Sequence, residues 1–135
     1  MAAANTKLHD VLARCEETAS WFEIRITDLH QRNHLGDTPL HTVCTWGDVE
    51  AVKELLRNGA DPNALGDRGC TPLFNAVMGE NGEVVQTLLA AGSDPRIRSV
   101  DGRLVIEYAK NVGSPPAVLK VLGYPEKSPQ GKSRR

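Results

Sequence analysis

GDTPLHTVCTWGDVEAVKELLRNGADP, residues 36–62, and GCTPLFNAVMGENGEVVQTLLAAGSDP, residues 69–95, are two versions of one pattern. Thr38-Pro39-Leu40 returns as Thr71-Pro72-Leu73, Val52 as Val85, and Leu55-Leu56 as Leu88-Leu89. Gly59-Ala60-Asp61-Pro62 returns as Gly92-Ser93-Asp94-Pro95, and Gly36 returns twice, as Gly69 and Gly102. Every offset is 33 residues, with no insertion. Agreement at so many positions in one register is not accidental. A fixed period of this length marks stacked units, each too small to bury its apolar face alone.

The pattern predicts the conformation of each unit. Pro39 and Pro72 stand where a first helix begins, a position that tolerates the missing N–H. The preceding Thr38 and Thr71 carry hydroxyls able to cap the first turn. Leu40, Val43 and Cys44 then fall on one helical face. Gly47 ends that helix and Asp48 caps the next. Val49, Val52, Leu55 and Leu56 make one apolar stripe. Gly59 stops the second helix, and Asp61 to Gly69 reads as a polar, turn-rich connection. Each unit is therefore helix, turn, helix, loop, and the fold class is all-α. In the second copy Glu80 replaces Gly47 and Phe74 replaces His41. Gly79-Glu80-Asn81-Gly82 consequently reads as a looser inter-helix turn.

Thr38-Pro39-Leu40-His41 at a 33-residue period resembles the ankyrin repeat. The resemblance implies a solenoid of about four helix-turn-helix units with degenerate ends. Its domain is residues 1–124, in units of about 3–32, 33–65, 66–98 and 99–124. The connections would protrude as hairpin loops. Terminal units degenerate because one face must meet water. At the front, Asp28 matches Asp61 and Phe22 matches Leu55, so Leu8–Cys15 and Thr18–Leu29 are expected as two helices. At the back, Leu104-Val105-Ile106 replaces Thr-Pro-Leu. Ser114-Pro115-Pro116 opens a last helix, with Ser114 as its cap, ending at Gly123. Residues 125–135 are expected to be a disordered basic tail.

Composition narrows the function. Aromatic residues make up 4% of the 135, so the core must be aliphatic. The net charge is −1, but the last ten residues hold four basic groups against one acidic. Residues 1–125 hold 12 basic and 16 acidic groups, a net −4. Such a body is a poor nucleic-acid surface and leans towards a basic partner. Three widely spaced cysteines, Cys15, Cys44 and Cys70, form no Cys-x-x-Cys pair and fit a reducing compartment. The start is too short and polar for a signal peptide. No apolar run approaches the roughly 18 residues that cross a bilayer. A cytoplasmic protein without membrane contact is expected.

Chemistry-bearing clusters are scarce. His41 and Cys44, at i and i+3, could share a metal, but no second pair completes a site. The resemblance makes His41 a structural histidine that hydrogen-bonds the loop, and Cys44 core. A catalytic cysteine would need an oriented histidine in a cleft, and the carboxylates are dispersed. Gly79-Glu80-Asn81-Gly82-Glu83 has no following Lys and two glutamates that repel phosphate. Lys132-Ser133-Arg134-Arg135 is a weak match to a nuclear or nucleic-acid signal and reads first as a solvated terminus. No enzyme activity, metal or cofactor is expected.

The binding surface follows from the register. The resemblance places Trp46, at the end of the first helix, in a concave groove, where a large indole suits an interface anchor. Trp21, beside Phe22, is expected in the core. The same register puts Thr45, Met78, Gly79 and Asn111 in the groove. It puts His34, Leu35, Asp37, Asp67, Arg68, Cys70, Val100, Asp101 and Arg103 at the loop tips. The expected function is stoichiometric protein binding by a chain that is monomeric on its own. By analogy with small bacterial ankyrin immunity proteins, the partner would be a basic toxin domain occluded without chemistry. The alternatives are an adaptor or regulatory subunit docking on an enzyme or transcription factor, and a small enzyme using His41 and Cys44.

Overall fold

Pro39 and Pro72 each open a helix, with Thr38 and Thr71 extended immediately before them. The structure, a computed structural model, describes residues 2–123, without the side chains of residues 2–6. The tail expected at 125–135 lies outside the described residues. Seven α-helices follow in order: α1 (Ala2–Glu16), α2 (Pro39–Trp46), α3 (Val49–Arg57), α4 (Pro72–Met78), α5 (Gly82–Ala90), α6 (Val105–Asn111) and α7 (Pro116–Val121). No strand occurs among the described residues.

The helices form two rows. α2, α4 and α6 stack in one, and α3, α5 and α7 in the other, with each pair packed together within its unit. Leu55 and Leu88 are fully buried at equivalent places in successive layers, as are Leu40 and Leu73, and Val52 and Val85. Each such side chain stabilises the stack by about 1.5–3 kcal/mol. The 33-residue period is thus the spacing of one continuous aliphatic spine.

The turns explain the sequence punctuation. Gly47 ends α2 in the left-handed region, φ 73°, which favours glycine. Asp48 then accepts from the Ala51 amide to cap α3. In the next unit the same turn is tied more firmly than the sequence implied. Glu80 takes the left-handed conformation, φ 56°. Asn81 caps α5 through the Glu83 and Val84 amides and donates to the Gly47 carbonyl of the preceding turn, 3.0 Å. Gly79 abuts α2 so closely that a Cβ would lie 2.9 Å from the Cys44 and Thr45 carbonyl oxygens. The missing side chain, not looseness, is what this turn required.

The connecting loops repeat as regularly as the helices. Asn33, Gly66 and Ser99 each donate their amides to the carbonyl four residues on, at Asp37, Cys70 and Arg103. Adjacent loops are also joined. Asp37 Oδ1 accepts from the Asp67 amide, 2.8 Å, and an Arg32 guanidinium nitrogen donates to the Gly36 and Leu65 carbonyls.

Both ends depart from expectation. The first unit has one long helix, α1, packed on α2 and α3, instead of a helical pair. Thr18–Leu29 is not a helix: it holds a single 3-10 turn, Ala19–Trp21, and then irregular chain, with Glu23 in the left-handed region, φ 64°. Ile24, Ile26 and Thr27 are β-branched and stiff at χ1, which disfavours a helix. Glu16 ties this segment to the end of α1 by accepting from the Ile26 amide, 2.7 Å. Trp21 is fully buried, and its indole N–H donates to Thr42 Oγ1, 2.9 Å. Phe22 does not match Leu55, because it is 64% exposed. At the other end Pro115, not Ser114, stands at the cap position of α7. The second proline shifts the start by one residue, and the Ser114 hydroxyl is buried without a partner among the described residues.

Candidate protein-binding cleft

The inner helices and the hairpin loops enclose an open cleft of about 550 Å³. Its floor comes from α2, α4 and α6, and one wall from the loops ahead of each. Of the residues singled out from the sequence, ten line it: Leu35, Asp37, Thr45, Trp46, Asp67, Arg68, Cys70, Met78, Asp101 and Arg103. Four do not. His34 turns away to the Phe22 carbonyl, 2.9 Å. Val100 lies over Gly69, where a Cβ would meet its Cγ1 at 2.9 Å. Gly79 is pressed against α2, and Asn111 is exposed at the far end of α6.

Sequence reasoning missed Thr42, Phe74, Asn75 and Tyr108 on the floor, and Thr18, Ser20 and Ser99 at the rim. Thr42, Asn75 and Tyr108 lie three residues before Thr45, Met78 and Asn111, on the same helical face. The register could have found them. Thr18 and Ser20 were hidden by the helix wrongly expected there.

Trp46 is half-buried against the core and also lines the cleft. The Arg14 guanidinium from α1 lies over its ring, 4.5 Å from the centroid. The same guanidinium reaches Asp48, 3.1 Å. The Asp48 carboxyl is held below its ordinary range, first by the Ala51 amide and then by Arg14. One face of the indole is therefore engaged within the chain.

His41 organises the boundary between two units. Its Nδ1 accepts from the Thr38 amide, 3.1 Å, and its Nε2–H donates to the Cys70 carbonyl, 3.0 Å. Burial above all lowers its pKa, which keeps the ring neutral and able to play both roles. Both nitrogens are committed, so the ring has none to offer a metal. Beyond it, Gly66 must be glycine, since a Cβ would meet Asp37 Oδ1 at 2.3 Å. In the next unit Phe74 provides no acceptor and instead packs against Tyr108, ring centroids 5.9 Å apart. In the last, Glu107 resumes the role by accepting from the Leu104 amide, 2.9 Å.

The three thiols are free. Burial pushes Cys15 up to about 12 and raises Cys44 further still. Cys70, in the cleft, is raised by burial and then by Asp67. None is held as the thiolate that nucleophilic catalysis needs. Among the described residues no group of three metal-binding side chains comes together.

A family model of ankyrin repeats in three copies matches residues 1–99. The chain belongs to the ankyrin-repeat family. Ankyrin repeats are protein-interaction modules, and as a class they are scaffolds rather than enzymes. Human BCL-6 corepressor-like protein 1 is 29% identical over 81% of this chain and 6% of its own length. The mouse B-cell lymphoma 3 protein homolog is 36% identical over 70% of this chain and 21% of its length. Mouse 2-5A-dependent ribonuclease is 43% identical over 49% of this chain and 9% of its length. The chain thus spans only a small part of these relatives, and its likeness to them is a likeness of ankyrin repeats. No helix among the described residues is long and apolar enough to cross a membrane.

Proposed function

We propose that this ankyrin chain is a non-catalytic module that binds one protein partner through its cleft and the adjoining loop tips. The observation that carries this reading is the lining of the cleft. Trp46, Met78 and Tyr108 offer apolar surface, while Asp67, Arg68, Asp101 and Arg103 form no ion pair with any described residue. Apolar anchors ringed by unspent charges suit a specific protein surface. The stacked repeats hold these groups in place beforehand, so little conformational entropy is lost on association.

The finer reading is an immunity role, in which the chain occludes a basic toxin domain. The net charge of −4 over residues 1–125 supports it, since complementary charge steers encounter. The second reading, an adaptor or regulatory subunit, is favoured by the match to a corepressor-like protein. The three free thiols fit a reducing, cytoplasmic setting.

A partner recovered by affinity capture tests the cleft directly. Met78→Arg places a charged, bulky side chain there, whereas Glu50→Lys alters α3 outside it. The cleft reading expects the first to weaken binding at least about tenfold, or about 1.4 kcal/mol, and the second to leave it nearly unchanged. Equal affinities would overturn it. Co-expression with the recovered partner separates the finer readings, because only a toxin is lethal without this chain.

A further inference from the structure

Two largely buried residues of the cleft, Asp37 and Asn75, each keep one side-chain oxygen to which no described residue donates. Asp37 and Asn75 are each 8% exposed, and both line the cavity. Asp37 spends Oδ1 on the Asp67 amide. No cation pairs with its carboxylate among the described residues. Its other oxygen is available in the open cleft, where complementary positive charge can meet it.

Asn75 has its orientation fixed by a short chain of hydrogen bonds. The Thr45 hydroxyl donates to the His41 carbonyl, 3.2 Å. Its oxygen is then left as an acceptor and must face the amide nitrogen of Asn75, which donates to it at 3.2 Å. Asn75 Oδ1 is consequently left as an acceptor, and no described residue donates to it. Asp67 and Asp101 add two exposed carboxylates at the rim, partly offset by Arg68 and Arg103. The floor and rim therefore ask for positive charge and for N–H donors, not for an anion.

We propose that the cleft recognises a basic protein segment, with a cationic side chain set against Asp37 and an N–H donor meeting Asn75 Oδ1. This rests on the cleft being the binding face, and it adds the chemistry of the occupant. An arginine-bearing segment fits best, because its planar guanidinium supplies several donors and stacks on aromatic rings. Trp46 already receives Arg14 in that manner.

The probes are three synthetic decapeptides, one rich in arginine, one rich in glutamate and one neutral and apolar, titrated into the isotope-labelled chain. The arginine peptide should shift the amide resonances of Asp37, Asn75 and Met78, and the glutamate peptide should not. Asp37→Asn keeps the acceptor that holds the Asp67 amide but removes the charge. It should weaken the arginine peptide at least about fivefold, with an unchanged melting temperature. Asn75→Ala should weaken it about threefold or more. Glu50→Gln, the same change of charge outside the cleft, should have little effect, which separates recognition from bulk attraction. If the glutamate or the neutral peptide shifts the cleft instead, the inference falls and the cleft reading stands. If the arginine peptide shifts nothing there, or Asp37→Asn binds it as well as Glu50→Gln does, the inference is overturned. The cleft reading is then judged by Met78→Arg against the recovered partner.

Discussion

His41 on α2 donates its Nε2–H to the carbonyl of Cys70, 29 residues on and in the next unit, at 3.0 Å. With Nδ1 accepting from the Thr38 amide, one fully buried ring both caps its own helix and fastens the following loop. His41→Ala removes both bonds, leaving the Thr38 amide without its ring acceptor and the Cys70 carbonyl with the Gly66 amide alone. The expected cost is about 2–4 kcal/mol, combining lost hydrogen bonds with a cavity. Urea unfolding measures it, and a loss below about 1 kcal/mol would mean that neighbouring groups replace the ring.

The same burial gives stability a pH dependence of known sign. The folded-state pKa of His41 is lowered from 6.5, chiefly by desolvation. The unfolded chain therefore takes up a proton that the folded chain resists. Stability should be whole above about pH 6.5 and decline as the pH falls below it, down to the folded-state pKa. His41→Gln should flatten that decline. The depressed carboxyls of Asp48, Glu54 and Asp94 start from 3.8 to 4.5 and act at lower pH. Urea midpoints at pH 7.5 and 5.5 make the comparison, and equal falls in the two proteins would refute it.

Gly79 carries a prediction that helix propensity alone would get backwards. Its φ of −78° suits any residue, and glycine to alanine at such a place ordinarily stabilises by about 0.4–1 kcal/mol. Here the new methyl would sit 2.9 Å from two carbonyl oxygens of α2. Gly79→Ala should destabilise by about 1–3 kcal/mol through overpacking. A midpoint at or above the parent's would show that α4 can shift away from α2.

How much of this was legible in the sequence depends on whether a position repeats. Leu55, Leu88 and the helix boundaries of residues 39–90 follow from register, because packing against an identical neighbour imposes one pattern on both. The His41 bond was legible only through its family resemblance, since its acceptor lies 29 residues away. Trp21 and Thr42, which seal the front of the stack, were not legible as a pair. The first unit has no neighbour before it, so nothing obliges residues 18–29 to keep the repeat, and their β-branched run wins. The cleft floor is half legible: register points to Thr45 and Met78, while Thr42 and Asn75, one turn earlier, line the same cleft. The orientation of Asn75 depends on Thr45 and His41 together and could not be read from any single position.

The thiols should separate by burial. Cys15 and Cys44 are fully buried, and Cys70 is partly open to the cleft. With an aromatic disulfide reagent at pH 8, one thiol per chain should react in the folded protein, and slowly, because burial and Asp67 raise the Cys70 pKa. All three should react in denaturant. Mass spectrometry of the labelled peptides identifies the site. Labelling of Cys15 before Cys70 would indicate that α1 opens from the stack.

Trp46 is the residue at which folding and binding are most closely joined. Its indole packs on the core, carries Arg14 on one face and lines the cleft. Trp46→Ala should therefore do two things. It should weaken the partner by at least about 2 kcal/mol, as the loss of a central aromatic anchor does. It should also cost stability, because it strips Arg14 of its ring and exposes the end of α2. Arg14→Met separates the two effects. It removes the cation over the indole and the bond to Asp48, which should cost about 0.5–1 kcal/mol of stability. It leaves the indole in the cleft, so partner affinity should fall little. Calorimetric binding and urea unfolding of both variants give the four numbers required. If Trp46→Ala binds as tightly as the parent while losing stability, the indole belongs to the fold alone and the anchor lies elsewhere in the cleft.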